Sequence, residues 1–135
     1  MAMFSNCYNL TTVQNLNVDN ITRCQTMFFN CSNLVVAPNL NTSHVFSMYY
    51  MYRGCTNLTT VPIYDMSNVS DVTDMFTDCS LLTNESLDNI LYMFSTSKIT
   101  SGKLKSAGLS QDQTNICVNL PNWANAQAAG WTTGY

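Results

Sequence analysis

Charge is scarce in this sequence: of 135 residues, five are Lys or Arg and eight are Asp or Glu. The five bases (Arg23, Arg53, Lys98, Lys103, Lys105) form no dense stripe, and phosphate recognition needs clustered positive charge, so no nucleic-acid partner is expected. There is one histidine, His44, in a polar turn, and no nucleophile elbow or glycine-rich phosphate loop surrounds any nucleophile. No two carboxylates are paired for acid–base work, so the chain is expected not to be an enzyme. The six cysteines include no Cys-x-x-Cys and no Cys/His pair at zinc spacing. Asp65, Asp71, Asp74 and Asp78 lack the Gly and the closing Glu of a calcium loop. No metal and no cofactor is therefore expected. No apolar run approaches bilayer length and no basic-then-apolar leader opens the chain, so neither a membrane span nor a signal peptide is expected.

What the sequence does have is a period. Met3-Phe4-x-x-Cys7-x-Asn9-Leu10 returns as Met27-Phe28-x-x-Cys31-x-Asn33-Leu34, as Met51-Tyr52-x-x-Cys55-x-Asn57-Leu58 and as Met75-Phe76-x-x-Cys79-x-x-Leu82, each 24 residues after the last. A constant period of this size marks stacked repeats, none of which buries its apolar side alone. The series Val69, Val72, Met75, Phe76 and Cys79 has the three-and-four spacing of one buried helical face, with Ser67 or Asn68 as N-cap. From Leu58 to Tyr64 the chain is Thr/Val-rich and extended in character. The expected unit is turn, short helix, short strand. Cys7, Cys31, Cys55 and Cys79 hold one repeat position, where a buried free thiol ends the helix and bridging to a neighbour is geometrically awkward. The series Asn9, Asn33 and Asn57 is expected to tie turn backbone together.

The pattern Met-Phe-x-x-Cys-[Ser/Thr]-x-Leu-x-x-Val-Pro, with Asp-x-Ser-Asn-Val before the next Met, resembles the BspA-type leucine-rich repeat over roughly residues 3–83. That family occurs in bacterial surface proteins and in proteins of phages infecting gut bacteria. The segments from Asn84 and from Ala129 to Tyr135 resemble the ends of phage-borne members. The resemblance implies an attachment or recognition role on a virion or bacterial surface, with synthesis in a host cytoplasm, and supplies no catalytic residues. The expected architecture is an α/β leucine-rich-repeat-like solenoid of four rungs over 1–83, closed by a small helical C-terminal cap over 84–135. The cap is expected to hold a helix carrying Leu87, Ile90, Leu91 and Phe94 with Asn84 as N-cap, and a short helical piece within Ser97–Gly108. A helix opened by the capping box Ser110-x-x-Gln113 follows, and then a last one over Asn122–Ala129.

One rung departs from its neighbours. Phe46, Tyr49, Tyr50 and Arg53 lie at i, i+3, i+4 and i+7, where the rung before has Thr22, Gln25, Thr26 and Phe29 and the rung after has Ser70, Thr73, Asp74 and Thr77. On a helix these residues form a second, outward face, which Phe29 can join from next door. Aromatics with an Arg make a recognition patch or a self-association patch. The expected partner is a protein or a cell-surface glycan, with homo-oligomerisation open through this face or through the uncapped N-terminal rung. A different class is kept beside this one: a small intracellular phage protein that binds and inhibits a host factor.

Overall fold

The computed structural model describes residues 2–14 and 16–135. Its α-helices, α1 (Asn84–Thr96), α2 (Gln111–Cys117) and α3 (Trp123–Ala128), all lie after the fourth Met-aromatic copy. No copy contains a helix, and among the described residues before α1 the chain pairs only as isolated parallel bridges, Arg23–Ser47–Asp71 and Val36–Thr60. The expectation of a short helix and a short strand in each rung is therefore corrected. Tandem tight turns take their place.

The reason lies in the backbone. Thr26 and Asn30 have φ of 55° and 58°, Tyr50 and Gly54 of 57° and 80°, and Asp74 and Asp78 of 50° and 64°. A left-handed residue every four positions interrupts any helical run. Each segment closes instead as successive i to i+3 turns, such as Met27 N–H to the Cys24 carbonyl and Cys31 N–H to the Phe28 carbonyl. Alternate N–H groups, freed from local bonds, reach the next rung. Phe28 donates to Met51 (3.0 Å) and Asn30 to Arg53 (2.8 Å); one copy later Tyr52 donates to Met75 (3.0 Å) and Gly54 to Thr77 (2.9 Å). The N-cap expected at Ser67 or Asn68 is also replaced, since Ser67 N–H and Oγ both bind Asp65 Oδ1 in an Asx turn.

The apolar series is buried as its spacing requires. Tandem turns put residues 0, 3, 4 and 7 on one side as a helix does, and Val69, Val72, Met75, Phe76 and Cys79 are all 5% exposed or less. Two columns run through this core. Phe4, Phe28, Tyr52 and Phe76 stack at centroid separations of 5.4, 5.4 and 5.9 Å with nearly parallel rings. Beside them the thiols of Cys31, Cys55 and Cys79 donate to the carbonyls of Phe4, Phe28 and Tyr52 at 3.0, 3.1 and 3.1 Å. All six cysteines are free; five are buried, and Cys7, in the first rung, is half-buried rather than buried as expected. Burial pushes the thiols of Cys24, Cys55 and Cys117 up, the first to about 11 and the other two to about 12, which keeps these three neutral and unreactive. The Asn column is tied as expected, with Asn33 Nδ2 on the Tyr8 carbonyl (2.6 Å) and Asn57 Nδ2 on Asn33 Oδ1 (3.3 Å).

One rung carries a polar relay inside the core. Tyr52 stands where the other copies have Phe, and Tyr64 where two have Leu. Their hydroxyls meet at 2.5 Å, and Tyr64 passes its proton donation on to the Pro38 carbonyl (2.7 Å). Burial raises both phenols above their ordinary range, so neither ionises near neutral pH.

Residues 84–135 meet the last copy on two flanks. α1, capped by Thr83 rather than by Asn84, takes the place of the next extended segment. Ser86 Oγ donates to the Thr59 carbonyl and accepts from Val61 N–H, while Asn89 Nδ2 reaches the Val61 carbonyl. Side chains thus satisfy backbone groups that another rung would have paired. On the turn flank, residues 103–108 form turns rather than the expected helical piece, and the Ser106 and Ala107 carbonyls accept from Asp74 and Phe76. The tail then continues the pairing, with Leu104 N–H to Thr132 and Lys105 N–H to Thr133. Trp131 anchors it. Its ring stacks on Phe94 (4.4 Å), its Nε1–H binds the Phe94 carbonyl, and a Cβ on Gly102 would strike it at 2.4 Å. The Ser110–Gln113 capping box forms as read from the sequence, and Gly130, with φ of 101°, ends α3.

Candidate functional site

The outward residues of the Met51 copy are presented by two turns rather than by one helical face. Left-handed Tyr50 turns its ring sideways onto that of Tyr49, with centroids 3.9 Å apart and planes 10° from parallel. Phe29, one rung earlier, lies 6.3 Å from Tyr50, and the Arg53 guanidinium sits 4.7 Å above the Tyr50 ring. Such a cation–π contact is worth about 0.5–1 kcal/mol when exposed. Arg53 also meets Asp74 Oδ2 at 3.3 Å, and Asp74 Oδ1 accepts from Thr77 Oγ1 at 2.9 Å. Four of the five residues singled out from the sequence, Phe29, Tyr49, Tyr50 and Arg53, are therefore one packed assembly.

Phe46 is not part of that stack. It is the most exposed of the five at 39%, and Arg23 from the preceding rung covers its ring at 4.8 Å. Between the two clusters Gln25 Nε2, Ser47 Oγ and Asp71 Oδ2 make a polar chain of 3.1 and 3.4 Å. The helical reading placed Phe46, Tyr49, Tyr50 and Arg53 on one face with Phe29 joining from next door; the turns divide them into a four-membered stack and a separate Arg–Phe pair.

Sequence reasoning missed Asp74 as a partner of this stack, and Lys105 and Tyr135 as residues that share a cavity with Asp74. Asp74 stands out in sequence only as one of several carboxylates. Lys105 and Tyr135 come from segments whose return to the turn flank no periodicity announces. Together with Thr77, Asp78 and Gln113 these residues line a cavity of about 370 Å3 that opens beside the Arg53–Asp74 pair. Tyr135 is fixed by its hydroxyl on the Leu109 carbonyl (2.8 Å), with Lys105 Nζ 5.0 Å over its ring. His44 lies exposed in its turn. Among the described residues no three His, Cys, Asp or Glu side chains converge on a metal position, and no helix is long and apolar enough to cross a membrane.

No curated protein and no solved structure matches the chain. A family model described as "Mycoplasma protein of unknown function, DUF285" matches residues 1–123, which takes in the turn ladder, α1, α2 and the first residue of α3, and the chain belongs to that family.

Proposed function

We propose that the stacked turns are a leucine-rich-repeat-like solenoid of the BspA type, and that the protein is a non-enzymatic recognition module binding a protein or a glycan. The attachment reading puts it on a virion, as part of a tail-associated protein, or on a bacterial surface. The observation that carries the binding role is the stack of Phe29, Tyr49, Tyr50 and Arg53 on the outer side of the ladder. The neighbouring rungs reach the same turn geometry with Thr26 and Asp74 at the position of Tyr50, so the fold does not require aromatics there. Six free thiols favour one second reading, an intracellular protein that blocks a host factor, because thiols stay reduced in a cytoplasm.

The test is capture from separated envelope and cytosolic fractions of candidate gut bacteria, with a Tyr49→Ser/Tyr50→Asn variant as control. Capture of an envelope component, lost in the variant, is the expected result. Capture of a single cytosolic protein instead moves the second reading to first place. A variant that only turns a dimer into a monomer assigns the stack to self-association.

A further inference from the structure

Resting on that reading, we infer that the recognition site extends from the aromatic stack into the cavity beside it, and that its ligand is a neutral glycan. The two features share a residue. Asp74 holds Arg53 with one carboxylate oxygen and Thr77 with the other while lining the cavity. A ligand lying against the stack is separated from the space bounded by Asp78, Lys105 and Tyr135 only by the Arg53–Asp74 pair. At about 370 Å3 this space falls within the roughly 300–1,000 Å3 of small-molecule sites.

The charges decide the ligand class. Arg53 and Lys105 stand against Asp74 and Asp78, so the site is balanced. A cationic ligand finds the Tyr50 ring taken by Arg53 and the Tyr135 ring by Lys105, and these two cations repel it from the Tyr49 face and the cavity between them. An anionic ligand reaching Lys105 meets two carboxylates lining the same cavity. A protein partner would need an apolar core within about 800 Å2 of contact, whereas Phe29, Tyr49 and Tyr50 are half-buried against one another and Phe46 stands apart. A sugar fits what is left. The C–H face of a pyranose lies on an aromatic ring, and the second face of Tyr49 carries no ring or cation among the described residues. Sugar hydroxyls both donate and accept, and they meet carboxylates, an ammonium group and the hydroxyl-bearing residues Thr77 and Ser80 at the cavity.

The experiment presents the intact protein with neutral hexasaccharides of glucose, mannose, galactose and N-acetylglucosamine, beside sialylated and sulfated glycans. Binding to at least one neutral probe is expected, with affinity unchanged up to about 0.5 M salt because no net charge is neutralised. Tyr49→Ser should weaken it about tenfold or more, and Asp78→Asn or Lys105→Gln about fivefold, at unchanged melting temperature. Binding to none of the neutral probes overturns the inference, as does binding confined to charged glycans that falls with salt. Loss in Tyr49→Ser with no change in Asp78→Asn and Lys105→Gln overturns the extension into the cavity and leaves the aromatic site standing. Capture of a defined surface protein without any glycan overturns the ligand class and leaves the recognition role intact.

Discussion

The Met-aromatic copies and α1 carry the same apolar spacing and solve it with different backbones. Cys24, Met27, Phe28 and Cys31 are separated by three, one and three, and Leu87, Ile90, Leu91 and Phe94 by the same steps. Both sets are fully buried. In α1 the N–H groups bond four residues back within the helix, as Leu87 does to the Thr83 carbonyl. In the copies they bond about 23 residues ahead, as Phe28 does to Met51. Apolar spacing therefore names a buried side and not a hydrogen-bond direction. What separates the two regions is the left-handed residue every fourth position, present at Asn30, Gly54 and Asp78 and without counterpart in α1.

The comparison breaks most severely if that residue is changed. A Cβ on Gly54 would lie 2.1 Å from Asn30 Oδ1, and its φ of 80° is hostile to β-branched residues. Gly54→Val should cost about 3–5 kcal/mol, combining backbone strain with overpacking. Ala124→Val, on the exposed side of α3, should cost under about 1 kcal/mol. Equal melting temperatures for the two variants would show that the turns do not depend on a left-handed residue there.

Next in size is the relay that distinguishes one rung from its neighbours. Tyr64→Phe leaves the buried Tyr52 hydroxyl without its partner and should cost about 1–3 kcal/mol. Tyr52→Phe with Tyr64→Phe removes both hydroxyls, leaves the rings in place and should recover much of that loss. Additive costs across the cycle would deny the coupling.

The sequence reading passed over this relay although its signal was present. Phe to Tyr and Leu to Tyr occur in the same repeat, 12 residues apart, and their coincidence is a readable sign of a paired polar contact. The period, the buried series, the thiol column, the capping box and the end of α3 at Gly130 were equally readable, because each rests on local residue type. The turns were not. Thr26, Tyr50 and Asp74 are unremarkable helix-interior types, and only bonding to neighbouring rungs holds them left-handed. For the same reason the sequence reading kept Phe46 with Tyr49, and the return of Lys105 and Tyr135 to the site left no periodic trace.

A smaller effect separates buried thiols from the solvent. The thiols of Cys24, Cys55 and Cys117 sit at about 11–12 in the fold against an ordinary 9.0, so the folded chain keeps protons that the unfolded chain releases. The thiol contribution to stability should be flat below pH 9 and fall as the pH rises from 9 toward 11–12, with the raised Tyr52 and Tyr64 phenols adding to the fall above about pH 10. Urea melts across that range check the sign, and Cys55→Val, which has no thiol to ionise, should flatten the slope. An unchanged slope would mean that the thiols are not what burial protects.

The smallest effect is expected at the candidate site itself, and there smallness is informative. Tyr50 holds an unfavourable φ of 57° that Asn tolerates better, so Tyr50→Asn relieves strain while losing the Tyr49, Phe29 and Arg53 contacts. The two terms should cancel to within about 1 kcal/mol. Thr26→Asn, at the matching turn one rung earlier, carries the relief with none of the stacking loss and should stabilise by up to about 1 kcal/mol. The difference between these variants isolates what the aromatic stack contributes to folding. A difference near 1 kcal/mol leaves the stack as surface held for a ligand. A difference of about 3 kcal/mol or more would make Tyr50 a structural residue of its rung and remove the reason to look for binding there.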